Sequence, residues 1–549
     1  MSRSLDRPTP VALPPQTADV SEETRSRLAD GLVVLLLFTI AVGYLASLPR
    51  SLGWADESFF LYEAKRIRDG EVMYRDIFQF IPPLSAWTMA LLFWAFGTTI
   101  AAARVTIAVV HGLTGVFVYL TCRQLGVRRP IAVLAPLAYL VICQPAWPYA
   151  SWHWFSTNLS TLLLLVLLAT PWPTRPRFAA VPGLVAGFLL GMQHQKGTVM
   201  AAGTCAVFCL DHIAGRVFGQ RDSWRRLAGQ MLWFLGAASL VAVPVLALSV
   251  ALAGAEPVYD ALVRFPLETY RQHFHVRWGQ VAPLTEPVVA TTFPVLLRFA
   301  PVAALIPLAR MLASAARRRD RDGLRQRLAL TVLSAASVAS IWYFPDAVHI
   351  AFIGPVFLVC AADGLEWIVT LAGPTRRAEI AAAALATTIV ALLAVRLYDN
   401  AVEARHTFPI AHETAFGRID FASRWEPVLI DRVRVLLARS PSREIFCYPN
   451  LSEPYLTTGG KNPTRFQWFQ AGVSPAHHVD EVVSVLNRQP PPYLIVASYL
   501  LPASDPISQL IAQQYVSVSV PGMMETGELP SFYLYRRKDL PPPAEDGRG

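Results

Sequence analysis

Residues 31–58 read GLVVLLLFTIAVGYLASLPRSLGWADES. The stretch 31–49 carries no charged side chain. About 20 mostly apolar residues in a helix are what it takes to cross the hydrocarbon core of a bilayer. The run stops at Pro49-Arg50, and two adjacent carboxylates, Asp56 and Glu57, follow at once. An apolar run that ends at a membrane surface and delivers acids there sets the reading of the whole chain. Similar runs recur at 101–122, 131–148, 153–170, 179–194, 197–212, 230–253, 291–313, 327–343, 349–371 and 378–397, about eleven spans in all. The expected class is mainly α, a polytopic membrane helix bundle. A twelfth apolar stretch, 84–97, follows Pro82-Pro83. It is short for a span and is expected to lie at the interface.

Composition points the same way. Hydrophobic residues make up 54% of the 549 and charged residues 16%, where a soluble domain carries about 25% charge. That excludes a single soluble enzyme, a disordered chain and a fibrous one. The net charge of +9 does not indicate nucleic-acid binding, because the basic residues sit in short runs between apolar stretches. Arg123/Arg128/Arg129, Arg175/Arg177, Arg216/Arg221/Arg225/Arg226, Arg317 to Arg327 and Arg376/Arg377 all fall on one side if 84–97 does not span. By the excess of Lys and Arg in cytoplasmic loops, that side is the cytoplasm. The expected layout is a cytoplasmic tail 1–30, a membrane domain 31–397 with a first outer loop 50–100, and an outer region 398–549. The protein is placed in the inner (plasma) membrane. No cleaved signal peptide is read, since no small-residue cleavage site follows the first run.

Residues 440–540 change composition. Ile445–Tyr448, Tyr493–Ala497, Tyr515–Val520 and Ser531–Arg536 read as strands and His478–Arg488 as a helix, a small extracytoplasmic α/β domain. Of the six cysteines only Cys447 lies in a polar region, and no disulfide framework or CxxC metal pattern exists.

The acids of the first outer loop are followed by Tyr62-Glu63-Ala64, by Gly70-Glu71-Val72-Met73-Tyr74-Arg75-Asp76 and by Pro82-Pro83-Leu84. Taken alone, Asp56-Glu57 is also what the first turn of a helix prefers. An Asp-Glu pair after the first span, a Gly-x-x-x-Tyr-Arg-Asp segment and a Pro-Pro-Leu entering a short aromatic helix resemble the polyprenyl-phosphate-sugar-dependent glycosyltransferases of the GT-C superfamily. Within it, the pattern is similar to the protein O-mannosyltransferase and lipid A aminoarabinose transferase group. The resemblance covers 31–210 and returns at 343–355 and 440–537, with Gly459-Gly460-Lys461-Asn462-Pro463-Thr464-Arg465 and the closing Tyr533-Leu534-Tyr535-Arg536-Arg537.

The resemblance implies that Asp56 is the catalytic carboxylate of an inverting transfer from a polyprenyl-phosphate-linked sugar to a hydroxyl of a glycan, lipid or protein acceptor. A phosphate leaves without a general acid, so the enzyme has to supply a base and positive charge. Glu57 is expected to orient Asp56, to contact the acceptor, or to share a divalent metal with it. Candidate contacts for the phosphate and sugar come from several outer loops. Arg75 and Asp76 belong to the Tyr-Arg-Asp segment. Lys196 lies in the short polar turn Gln193-His194-Gln195-Lys196, where snorkelling to the interface is the simpler account. Arg271 is chosen from a loop that also holds Arg264, His273, His275 and Arg277. Asp346 and His349 share a helix face at the mouth of a span, with a helix cap plus an interfacial His as the alternative account. His153 between Trp152 and Trp154 is a weaker candidate. One departure matters: the lipid A aminoarabinose transferases carry a Lys before Pro-Pro, and here the residue is Ile81, so that activity is not supported. The competing reading is a transporter or flippase of lipid-linked sugars. It needs cations for phosphate but no carboxylate at the surface.

Overall fold

The structure is a computed structural model. It describes residues 18–53, 56–217, 223–270, 272, 276–280, 294–317, 321–373, 375–440, 442–469, 473–497 and 504–541. Arg271, His273 and His275 lie outside the described residues.

The apolar runs fold as helices because a bilayer leaves no water for backbone groups, which must pair within the segment. In chain order these are α1 (Ala18–Ala46), α2 (Asp56–Arg68), α3 (Leu84–Phe96) and α4 (Ile100–Gln124), then a broken span Arg129–Ala146. They continue with α5 (Trp152–Ala169), α6 (Ala180–Met192), α7 (His194–Val217) and α8 (Trp224–Ala253). A π-helical segment Asp260–Tyr270 follows, then α9 (Leu305–Arg317), α10 (Arg321–Ser340), α11 (Ala347–Leu371) and α12 (Arg376–Thr407). Among the described residues nine helices are long and apolar enough to cross a membrane. The expected spans at 179–194 and 327–343 form α6 and α10, but neither is among the nine. α6 with its 3-10 lead is short, and α10 begins with Arg321, Asp322, Arg325 and Arg327. α6 packs on α8 through Gly183 and Gly187, where an added Cβ would meet the backbone oxygens of Phe234 and Ala238 at 2.3 and 2.5 Å. Small residues four apart let two membrane helices approach this closely.

The helix ends sort into two faces. At one face Asp30 of α1 accepts from Arg123, Arg129 and Tyr119, Arg128 pairs with Glu366, and Arg325 pairs with Asp211. The arginine-bearing turns therefore meet at one end of the bundle. At the other end lie α2, α3 and the C-terminal region. α3 does not cross. The α2 before it touches the C-terminal domain, and the α4 after it starts there, with Ile100 N donating to Phe416 O at 2.9 Å. Both ends of α3 thus sit at one face, with Leu91, Trp94 and Phe96 turned outward.

The C-terminal region opens with a hairpin, β1 (Ile410–Thr414) and β2 (Gly417–Phe421), and the helix α13 (Trp425–Arg439). Then come β3 (Ile445–Tyr448), α14 (Glu453–Thr458), α15 (Ala476–Arg488), β4 (Tyr493–Ala497), α16 (Pro506–Gln514), β5 (Tyr515–Ser517) and β6 (Phe532–Arg537). The sheet order is β3-β4-β6-β5; β3 and β4 are parallel and the other pairs antiparallel. All four expected strands are present, β5 shorter than read, since only Val518 continues its pairing, to Leu534. The hairpin and α13 precede the expected core, and α12 runs to Thr407 rather than ending near 397.

The C-terminal domain is seated on α2. The Tyr62 ring stacks on Tyr455 at 4.7 Å between centroids, and its hydroxyl accepts from Asn462 N at 2.9 Å. Phe78 N donates to Arg465 O, and the Phe78 ring packs edge-on against His478. Truncating Tyr62 to Ala should destabilise this seat by about 3–5 kcal/mol, the usual loss for a buried aromatic. Tyr62→Phe keeps the ring but orphans a buried N–H, and should cost about 1–3 kcal/mol. Thermal unfolding of the detergent-purified protein, with limited proteolysis of the C-terminal domain, checks the order.

Candidate functional site

α2 begins just after α1 and presents three different faces. Asp56 and Glu57 are consecutive, so they point about 100° apart around the helix. Glu57 turns into the bundle and is fully buried. Its Oε1 accepts from Arg104 Nη1 and from Ala150 N, both at 2.5 Å. Its Oε2 accepts from Arg104 Nη2 and from Gly53 N, both at 2.8 Å. Arg104 also donates to Ser51 O. Four donors use the carboxylate's acceptor positions. Glu57 is therefore a clamp between the first outer loop, α4 and the end of the broken span. It is not a cavity group and has no lone pair left for a metal shared with Asp56, which corrects the expected chelate.

Asp56 opens into a cavity of about 240 Å³ bounded by α2, the turn 78–81, α5, the 193–195 turn, Tyr270, the start of α11 and Gln467-Trp468 of the C-terminal domain. The Asp56 side chain is exposed where it meets the open cavity, while the protein walls around it desolvate the carboxyl. This desolvation pushes its pKa above the ordinary carboxylate value; nearby His349 pulls it down and Asp346 pushes it up. No Lys or Arg is among the described residues that line the cavity. The basic group that acts on Asp56 is the imidazole of His349.

That imidazole is oriented. Asp346 caps α11, accepting from His349 N at 2.7 Å and bonding His349 Nδ1 at 2.8 Å. With Nδ1–H held by the carboxylate, Nε2 is the nitrogen left for a ligand. His153 meets His349 edge-on at 4.9 Å, lies stacked on Phe352 and bonds Gln193. His194, Gln193 and Gln195 line the same wall. Asp346 thus serves as helix cap and as the group that turns His349 toward the cavity.

Two other expected contacts are placed elsewhere. Lys196 is buried outside the cavity lining, with Nζ donating to Thr157 Oγ1 at 3.1 Å and Phe352 O at 3.3 Å. It ties α7 to α5 and α11. Arg75 and Asp76 pair with one another at 2.8 Å on the surface. Asp76 also closes its own turn by accepting from Val72 N. The Tyr-Arg-Asp segment is a structural turn: Tyr74 is buried at a φ of 72°, a strained setting for a non-glycine residue, and its hydroxyl donates to Ile81 O. The structure does not bring Arg75, Lys196 and His349 together.

Sequence reading missed Glu63, Gln79, His194 and Gln467, all of which line the cavity. Glu63 was legible, because it is seven residues after Asp56 and so two turns along the same helix face. Arg104 also carried a signal, as an arginine inside an apolar run is expensive unless paired. The carboxamides carry none. Ile81, where the resembling transferases have Lys, also faces the cavity. Among the described residues one set of three metal-ligand side chains converges, Asp260, His477 and His478. It lies where the π-helical segment meets α15, not at Asp56.

Replacing Arg104 by Met strands a buried carboxylate, which costs about 3–5 kcal/mol. The apparent melting temperature should fall steeply for Arg104→Met, and the double variant Arg104→Met/Glu57→Leu should recover part of the loss. Differential scanning fluorimetry in detergent decides; equal melting of the single variant and wild type would remove the clamp from the account.

No protein-family model matches the chain, and no curated protein matches it in sequence. Solved structures do match in fold. ArnT from Cupriavidus metallidurans bound to undecaprenyl phosphate aligns with a TM-score of 0.54 at 14% identity, over 93% of this chain and 98% of that one. The apo state of the same protein aligns at 0.49 and 14% identity, over 94% and 98%. The arabinofuranosyltransferase AftD from Mycobacteria aligns at 0.43 and 14% identity, over 92% of this chain and 40% of that one. The chain therefore has the fold of ArnT over nearly its whole length, the fold that the resemblance of its first outer loop to GT-C glycosyltransferases implies.

Proposed function

We propose that this protein is an integral membrane glycosyltransferase that moves a sugar from a polyprenyl-phosphate donor to an acceptor hydroxyl, with inversion, on the outer face of the plasma membrane. The observation that carries the reading is one carboxylate, Asp56, with no ion-pair partner among the described residues and opened into a cavity of imidazoles, carboxamides and aromatic faces, while Arg104 is taken by Glu57. The fold shared with a protein solved bound to undecaprenyl phosphate supports the class of donor. The lipid tail lies against the apolar helices and the phosphate at the His349–His153 wall. Imidazole N–H groups there donate to the departing phosphate oxygens. Asp56 takes the proton of the acceptor hydroxyl, whose oxygen attacks the anomeric carbon opposite the phosphate. The C–O bond to phosphate breaks with its electron pair on the phosphate.

A base with a raised pKa loses function at a higher pH than an ordinary Asp would. Asp56 is active as the anion, so the acid limb of kcat should lie above the usual value of 3.8. Asp56→Asn should fold and bind undecaprenyl phosphate yet lose about 10²–10⁴-fold in transfer, the share of general-base catalysis. Full transfer by the variant sinks the base assignment. A flippase tolerates the substitution, because moving a lipid abstracts no proton, so lipid movement without transfer in wild type would decide for that reading.

The proposed orientation puts the C-terminal domain outside the cytoplasm. In a cysteine-free background, an impermeant thiol reagent added to intact spheroplasts should label Asp480→Cys and spare Arg225→Cys. The reverse pattern inverts the topology.

A further inference from the structure

The proposed mechanism uses Asp56 and leaves a second carboxyl of the same cavity without a task. Glu63 is buried at 2% exposure, lines the cavity, and stands two helical turns from Asp56 on the same face, about 10 Å along the axis. It is aimed by Gln79. Phe80 N donates to Gln79 Oε1 at 2.8 Å, which turns the carboxamide NH₂ toward Glu63, where it donates to Oε1 at 2.5 Å. Gln467 and Trp468 of the C-terminal domain and Trp152 of α5 share this cavity. Carboxamides and a carboxyl give directional hydrogen bonds to hydroxyls, and indole faces cover the C–H faces of a ring. This lining suits a sugar.

Charge selects the protonation state. Asp56 has to be an anion to take a proton, and the donor brings a phosphate. A third negative charge would stand beside them with no Lys or Arg among the described lining residues. Burial pushes the Glu63 pKa up to about 8, with Gln79 and Arg66 pulling down and Asp56 pushing up. The titratable groups that surround it are Asp56 and Arg66 of α2, Tyr74 of the following turn, His153, His194, Tyr270, Tyr343 and His349.

We propose that Glu63, oriented by Gln79, binds the sugar of the donor as a neutral acid, donating a hydrogen bond to a hydroxyl of an uncharged pentosyl or hexosyl group. This end of the cavity is then the glycosyl subsite. The inference rests on reading the cavity as the site of glycosyl transfer. An amino sugar would instead draw the proton from Glu63 and need the carboxylate.

The test is equilibrium binding to the full-length purified protein, with transfer measured separately. The probes are undecaprenyl phosphate and polyprenyl phosphates carrying a neutral pentose, a neutral hexose or an amino sugar. Glu63→Ala should weaken a neutral sugar-lipid at least tenfold and leave undecaprenyl phosphate unchanged, which also shows that the variant is folded. Glu63→Gln should restore binding to within about threefold of wild type. Wild-type affinity for the sugar-lipid should fall as pH rises through about 8, and Glu63→Gln should lose that dependence. Glu63→Gln as damaging as Glu63→Ala, or a loss of affinity shared equally by undecaprenyl phosphate, overturns the proposal. Sugar-dependent binding that obeys these rules without any transfer would sink the enzyme reading and uphold the subsite. Wild type that prefers the amino sugar also overturns the proposal, since a cation calls for an ionised Glu63.

Discussion

The Glu57–Arg104 pair is the interaction on which the site depends. A carboxylate out of water is costly unless each of its lone pairs has a donor. Here two come from a guanidinium rising out of α4 and two from backbone N–H groups, at Gly53 and Ala150. The pair therefore locks three segments that are distant in sequence: the exit from α1, the start of α4 and the chain just past the broken span. Its net contribution to stability is the lesser point, since buried ion pairs often break even. What it specifies is direction. With Glu57 held inward, the helical turn leaves Asp56 no choice but the cavity.

The same helix carries the rest of the site. Asp56 and Glu63 share the cavity face, Glu57 the bundle face, and Tyr62 the face on which the C-terminal domain sits. The C-terminal domain is consequently part of the cavity wall, through Gln467 and Trp468. A shift of that domain would move the wall and the acid-bearing helix together.

The electrostatic character of the cavity follows from what the lining lacks. Two carboxyls face a space with imidazoles as its only basic groups among the described residues. Desolvation pushes both carboxyl pKa values up, while His349 acts on Asp56 and Gln79 on Glu63. Two acids on one helix face thus come to have different neighbours, and different environments are how a pair of like acids takes different roles. Ile81 at the cavity edge, where a cation stands in the resembling transferases, belongs to the same pattern.

By itself the sequence determined the class, the sequence of helices, the shortness of α3 and the strands of the C-terminal sheet. Each of these rests on local rules: the length of an apolar run, the spacing of arginines, the alternation within a strand. It also marked Asp56, because an acid just past a span is conspicuous. Tertiary structure alone decided which marked residues meet. Arg75 is exposed on its own turn, Lys196 is consumed between three helices, and Glu57 faces the bundle rather than the cavity. Conversely, Gln79, Gln467 and His194 joined the site although their types and positions are ordinary. The physical reason is that a charged side chain buried in a membrane bundle takes whatever partner the packing brings within hydrogen-bond reach. That partner comes from a distant segment whose approach no local pattern encodes, so only the packed bundle separates the acid that turns to an arginine from the acid that opens into the cavity.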